Sequence, residues 1–371
     1  MKYLIRIIYQ YLIKPILFKT NAEEVHNNAI NIGTKISKIR FVQLLFKKIF
    51  YINSKSLKSN LFGLKFNSPV GLSAGFDYEG KITAITPYLG FGFESVGTVT
   101  YNLYEGNEKP RLARLPKSKS LLVNKGFKSS GIKSVVNNLK FINGFNLGLS
   151  IGATNSVDTR TPDSQIEDII NTFKYVKAHP VYKNLAYLEL NISCPNVKGS
   201  GTLANEYNLY AVLTKIRELK INKPLFVKFP IEIEHSYAKK LVQIMIDLSV
   251  DAVIIGNLAK NRNNPQLNSQ ELENIGKGNF SGKPTWNLSN ELITVIYKDF
   301  GDQIKIIGVG GVFNANDAYE KIKRGASLVQ LITGMIYNGP QLISEINSDL
   351  VKLLKKDGFE NLEQAVGSYY K

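Results

Sequence analysis

Short apolar runs recur along the chain, each closing on a polar or glycine-rich turn and followed by a segment of helical spacing. The runs occupy residues 70–72, 95–99, 147–151, 186–192, 225–229, 252–255, 305–309 and 328–332. Strands that alternate with helices in this way predict a parallel sheet. Eight is also the number that closes a (β/α)8 barrel, and residues 69 to roughly 345 have the length of one, about 250 residues being typical. The expected fold is therefore an α/β TIM barrel with an N-terminal helical extension, divided into residues 1–56 and 57–371.

The extension is predicted as three helices. In the first, Leu4, Ile7, Ile8, Tyr11 and Leu12 share one face, and Pro15 is expected to end it. The second begins at the capping-box sequence Thr20-Asn21-Ala22-Glu23 and stops at Gly33. The third covers about 34–51 and places Ile36, Ile39, Val42, Leu45, Phe46 and Ile49 together. A hairpin over 57–66 turning at Gly63 leads into the barrel. Residues 341–370 read as closing helices, broken at Gly358.

Composition narrows the possibilities. With 44% hydrophobic and 11% aromatic residues the chain can bury a large core. One cysteine excludes an intramolecular disulfide framework, and three widely separated histidines predict no structural zinc. The net charge is +17, but its lysines are scattered, which favours a diffuse surface field over a nucleic-acid groove. The first 58 residues differ: 11 Lys/Arg face two Glu among many Ile, Leu, Phe and Tyr. The uncharged run 7–13 is far short of the roughly 20 residues a membrane span needs, and no cleavage site follows. The apolar side of these helices must either pack on the barrel or lie in an anionic bilayer surface.

Barrel chemistry sits at the C-terminal strand ends. There the chain offers Ser73-Ala74-Gly75, Gly97-Thr98-Val99-Thr100, Ser150-Ile151-Gly152, Lys228, Gly256-Asn257, Gly308-Val309-Gly310-Gly311 and Thr333-Gly334. After the fourth run comes Asn191-Ile192-Ser193-Cys194-Pro195-Asn196, two amides and a hydroxyl around the single cysteine. Most free cysteines are small buried hydrophobes; one set among these polar groups is a candidate chemical group. Lys228 interrupts an apolar strand, which is costly unless an anion or a catalytic role holds it. The glycines of the last two strands suit a backbone phosphate site, although Phe313 stands where a dinucleotide fingerprint has its third glycine.

These strand ends resemble dihydroorotate dehydrogenase, the FMN enzyme of pyrimidine synthesis. The closest stretches are Asn67-Ser68-Pro69-Val70-Gly71-Leu72-Ser73-Ala74-Gly75-Phe76-Asp77, Phe91 to Thr100, Gly106 to Leu115, Phe280-Ser281-Gly282-Lys283-Pro284, Ile306 to Gly311 and Gly325 to Gln330. The basic N-terminal helices resemble those of the quinone-reducing branch, peripheral on the cytoplasmic side of the membrane. The resemblance implies that Cys194 is the base taking a proton from dihydroorotate while hydride leaves for the flavin. It implies Asn191, Asn196, Asn257, Asn124 and Phe127 around the substrate, and Lys228 beside the flavin's pyrimidine end. Ser73, Ala74, Gly75, Thr98 and Ser150 would line the flavin ring. Ser281, Gly282, Gly310, Gly311, Thr333 and Gly334 would hold its ribityl and phosphate. Arg114 would lie near the quinone, and no nucleic acid is expected.

The chain departs from that family in several places. The quinone branch normally has serine where Cys194 stands, and lysine where Tyr78 follows Gly-Phe-Asp. Val123, Ser150, Leu258 and Ile332 replace polar groups, and each lost partner would cost about 1–3 kcal/mol if a ligand group stayed unpaired. Other substrates are open on this basis: another dihydropyrimidine-like ring, or uridine in tRNA, whose reductases also carry an Asn-x-x-Cys-Pro loop.

Overall fold

In a computed structural model describing residues 1–193, 203–273 and 275–370, eight parallel strands close into a barrel. They are Val70–Leu72, Phe93–Val99, Asn146–Ile151, Tyr187–Asn191, Leu225–Phe229, Ala252–Ile255, Lys305–Val309 and Ala326–Leu331. Each pairs with its sequence neighbour, and the last returns to the first through Val329 beside Val70. The eight predicted runs are these eight strands, displaced by a few residues at their ends. Every residue of Phe93–Val99 and Tyr187–Asn191 is buried, because helices such as Pro162–Ala178 and Glu206–Glu218 cover the outer face.

The hairpin Ser59–Leu61 with Leu64–Phe66 turns at Phe62 and Gly63 and closes the N-terminal end of the barrel. Below the polar layer, Phe66, Phe93, Tyr187, Phe226, Ile254, Ile307 and Leu328 pack as a plug. Tyr187 stacks on Phe226 with centroids 4.5 Å apart. The opposite, C-terminal end is roofed by a three-stranded antiparallel sheet, Leu112–Leu115, Ser120–Val123 and Asn279–Phe280. That sheet was not expected from the sequence.

The N-terminal helices differ from expectation at their ends. Pro15 does not stop the first helix. Lys2–Ile8 runs through a π-turn, Tyr9–Ile13, into Lys14–Lys19. In the wider turn the Lys14 N–H reaches the Tyr9 carbonyl, making room ahead of the proline ring. The second helix is Ala22–Ile36, capped by Asn21 rather than Thr20: its Oδ1 accepts from the N–H groups of Glu23 and Glu24. It passes through Gly33 to Ile36, since a single glycine costs only about 1 kcal/mol in a helix interior. The third is shorter than expected, Arg40–Phe50. C-terminal helices follow at Leu342–Lys356 and Leu362–Ala365, with Gly358 at φ +80° between them.

One side of the first helix rests on the barrel. Tyr9 Oη donates to the Ile336 carbonyl (2.5 Å), Gln10 Nε2 to that of Tyr337 (2.9 Å), and Phe18 meets Tyr337 edge-on. Burial there raises the Tyr9 phenol to about 12. Tyr3, Leu4, Tyr11, Leu12, Ile16, Ile39, Phe41 and Leu44 remain exposed. No helix among the described residues is long and apolar enough to cross a membrane.

Candidate functional site

A cleft of about 1220 Å³, counting space open to solvent, occupies the C-terminal mouth of the barrel. Strand ends supply Ser73, Ala74 and Gly75, then Thr98, Asn191, Lys228, Asn257, Gly310, Gly311, Thr333 and Gly334. The roof adds Leu121, Val123, Lys125, Gly126, Phe127, Lys128, Ser281 and Gly282, while His26 reaches in from the extension beside Phe76 and Tyr78.

Of the residues named from the sequence, those strand-end and roof positions therefore share one cleft. Three others stand outside its lining. Asn124 turns its Oδ1 to Asn107 Nδ2 (2.9 Å). Arg114 Nη1 donates to the Thr20 carbonyl (2.7 Å) and its guanidinium covers the Phe18 ring, joining barrel to extension. Ser150 lies beneath the floor. Cys194 and Asn196 lie outside the described residues.

The floor is a directed hydrogen-bond chain. Ser150 Oγ donates to Glu189 Oε1 (2.8 Å), so its proton is committed and it accepts from Thr98 Oγ1 (3.1 Å). Thr98 in turn accepts from Asn191 Nδ2 (2.7 Å). Ser193 ties the two amides together: its Oγ donates to Asn191 Oδ1 (2.8 Å) and accepts from Asn257 Nδ2 (2.8 Å). Asn257 Nδ2 also donates to the Ser193 carbonyl (2.8 Å). Among the described residues this leaves one N–H of Asn191 and the Oδ1 of Asn257 for a ligand, a donor and an acceptor lining the same cleft. Such a pair matches a cyclic amide or imide.

Glu189 and Ser193 were not singled out as site residues from sequence. A glutamate within the apolar run Leu188 to Ile192 was the available signal, because a fully buried carboxyl needs a polar task. With Glu189→Gln the new amide can donate to Ser150 and let the chain reverse. A ring ligand such as orotate is then expected to bind about 5-fold more weakly, the worth of one ordinary hydrogen bond, in a titration followed by cofactor absorbance. Unchanged binding would show that Glu189 does not set the amide's direction.

Lys228 Nζ donates to Ser73 Oγ (3.1 Å) and to the Ala74 carbonyl (3.4 Å), which holds a buried ammonium at the floor's edge. On the roof, Phe127 has φ +65°, and its ring occupies the space a Cβ on Gly152 would need, 2.7 Å away. Gly334 is glycine because a Cβ would stand 2.0 Å from the Val312 carbonyl. Here the close approach is protein against protein, rather than protein against ligand as the sequence suggested. His26 stacks on Tyr78 (5.6 Å) and meets Phe76 edge-on; burial first, then Lys125 and Lys128, push its pKa down to about 3, so it is neutral at pH 7.

The lining fits a flat cofactor with an anionic tail. Ser73, Ala74, Gly75 and Thr98 offer small flat walls. At Gly282, Gly310 and Gly311 (φ +78°, +111° and +69°) backbone alone lines the cleft, and Thr333 Oγ1 donates to Ser281 Oγ (2.8 Å) beside them. Bare backbone N–H groups next to hydroxyls are the usual receptors for phosphate.

Comparison with known proteins gives the same reading over most of the chain. Residues 56–354 match the family model described as dihydroorotate dehydrogenase. The dihydroorotate dehydrogenase (quinone) of Trichodesmium erythraeum is 32% identical, covering 97% of this chain and 98% of that relative. The protein of the same description from Christiangramia forsetii is 34% identical over 93% of this chain and 99% of its own length. Among solved structures, DHODH from Eimeria tenella in complex with ferulenol superposes with a TM-score of 0.81. It is 26% identical and covers 94% of this chain and 96% of its own.

Proposed function

The chain belongs to the dihydroorotate dehydrogenase family, and from that membership we infer how its own residues divide the work. It is an FMN-dependent oxidoreductase of pyrimidine biosynthesis that converts dihydroorotate to orotate and passes the electrons to a quinone. The observation that carries the residue assignment is the meeting of Asn191, Asn257, Lys228, Thr98 and Phe127 in one cleft at the strand ends.

FMN, when bound, supplies the acceptor for hydride. Gly282, Gly310, Gly311, Thr333, Gly334 and Ser281 would hold its phosphate and ribityl chain; Ser73, Ala74, Gly75 and Thr98 would line its ring, with Ser150 bracing Thr98 from below. Lys228 stands as the cation that favours negative charge on the reduced ring. The Asn191 N–H and Asn257 Oδ1 orient the substrate's ring amides. Phe127 lies over it and excludes water, while Asn124 braces the roof through Asn107. Cys194, three residues past Asn191 in sequence, takes the ring proton, and Asn196 hydrogen-bonds the substrate. A thiol with a reference pKa of about 8.5 is a base within reach of neutral pH. Adding dihydroorotate anaerobically to the purified protein is expected to bleach its yellow colour within one turnover; a spectrum that does not change would overturn the substrate assignment.

The extension is the route to the membrane. Its exposed Tyr11, Leu12, Ile16 and Phe41, among Lys and Arg side chains, suit peripheral attachment to an anionic surface on the cytoplasmic side. Arg114, at the joint between Phe18 and the roof, stands beside the quinone's path. Tyr11→Glu combined with Leu12→Glu and Phe41→Glu is expected to lower binding to anionic vesicles at least about 10-fold. The KM for a long-chain quinone should rise with flavin content unchanged. Equal vesicle binding would remove the membrane role.

A further inference from the structure

A half-buried ammonium on the roof has no assigned task. Lys125 follows the roof strand Ser120–Val123 and lines the cleft two residues before Phe127. Its backbone is held in place: the Lys125 carbonyl accepts from Asn107 N–H (3.2 Å), and the preceding Asn124 N–H donates to the Arg111 carbonyl (2.8 Å). The side chain leads inward, where Nζ stands 4.5 Å from the centroid of the Tyr78 ring.

None of the ion pairs among the described residues includes Lys125. The acid nearest in charge effect, Glu23, is engaged by Arg111 Nη1 at 3.4 Å. Burial pushes the Lys125 ammonium down to about 8, which still leaves it mostly protonated at pH 7. A cation kept charged in a cleft, with no carboxylate among the described residues paired to it, is a ready partner for an anionic ligand. The other ammonium of the cleft, Lys228, is occupied with Ser73 and Ala74. Dihydroorotate brings one negative group, its carboxylate, and the position after Gly-Phe-Asp where a lysine would be expected holds Tyr78 instead. The ring of Tyr78 now supports the ammonium of Lys125.

We propose that Lys125 is the residue that binds the substrate's carboxylate, delivered from the roof and shelved on Tyr78. The assignment rests on the substrate given under the proposed function. It makes Lys125 a determinant of specificity for anionic over neutral rings, and it explains how a chain with tyrosine at residue 78 keeps an anionic substrate.

The test uses the flavin-loaded protein and two probes, orotate and its neutral methyl ester, titrated by the change in flavin absorbance, together with steady-state rates on dihydroorotate. In Lys125→Met, which keeps the apolar stem, the orotate Kd and the dihydroorotate KM are expected to rise about 10–100-fold, the usual worth of one charge-assisted hydrogen bond. The ester Kd should stay within about 3-fold and kcat should fall much less than KM rises. Returning an ammonium from the other wall, in Lys125→Met/Tyr78→Lys, should recover most of the orotate affinity. An unchanged orotate Kd in Lys125→Met, equal losses for orotate and ester, or a change confined to the quinone KM would each overturn the proposal. Wild-type protein that binds flavin but neither orotate nor ester would instead overturn the substrate assignment itself.

Discussion

Cys194→Ala is expected to lower the rate of anaerobic flavin reduction by dihydroorotate about 10²–10⁴-fold, the span that a positioned general base contributes. The mutant should still bind FMN and orotate, because Asn191 and Asn257 are anchored by Ser193. Cys194→Ser separates the base from the mere presence of a polar atom. Base catalysis needs the deprotonated form, and a hydroxyl loses its proton far less readily than a thiol of reference pKa about 8.5. The serine enzyme should therefore retain turnover, with the acidic limb of its pH profile moved to higher pH. Stopped-flow reduction at several pH values measures both effects. Equal reduction rates in wild type and Cys194→Ala would sink the assignment, and another group would have to take the proton.

Lys228→Met carries the second large effect. Lys228 is 4% exposed within an otherwise apolar strand, where its Nζ donates to Ser73 Oγ and to the Ala74 carbonyl. Replacing a buried charge by an apolar side chain of similar length often leaves stability unchanged or improved, so the melting temperature should not fall. Flavin reduction should nonetheless slow about 10²–10³-fold, as when a preorganised electrostatic contact is removed. Loss of the cation should also lower the midpoint potential of the bound flavin, because the reduced form carries the negative charge. One charge-assisted contact corresponds to about 30–60 mV for two electrons. Spectroelectrochemistry reads that shift without turnover. A potential and a reduction rate both equal to wild type would leave Lys228 as a structural residue only.

The relation between sequence and structure differs from residue to residue. Strand runs such as 225–229 and 252–255 were legible because each is a short local stretch whose burial is written in its own side chains. Lys228 was legible for the converse reason, a charge where the strand has none. The roof sheet was not: Asn279–Phe280 is two residues long and finds Val123 and Leu122 across 156 and 158 positions of chain, a pairing no local spacing encodes. Pro15 misled because its effect depends on whether the preceding turn can widen, which the contacts of Tyr9 and Gln10 with Ile336 and Tyr337 favour.

By itself, then, the sequence determined the eight-stranded barrel, the basic apolar extension and the residue types at the strand ends, since periodicity, composition and local motifs are properties of neighbouring residues. Only the tertiary structure decided which polar groups are used up and which are left for a ligand. The direction of the chain from Asn191 through Thr98 and Ser150 to Glu189, and the approach of Lys125 to Tyr78, depend on hydrogen-bond and ring distances between segments far apart in sequence. Those distances exist only once the barrel has closed.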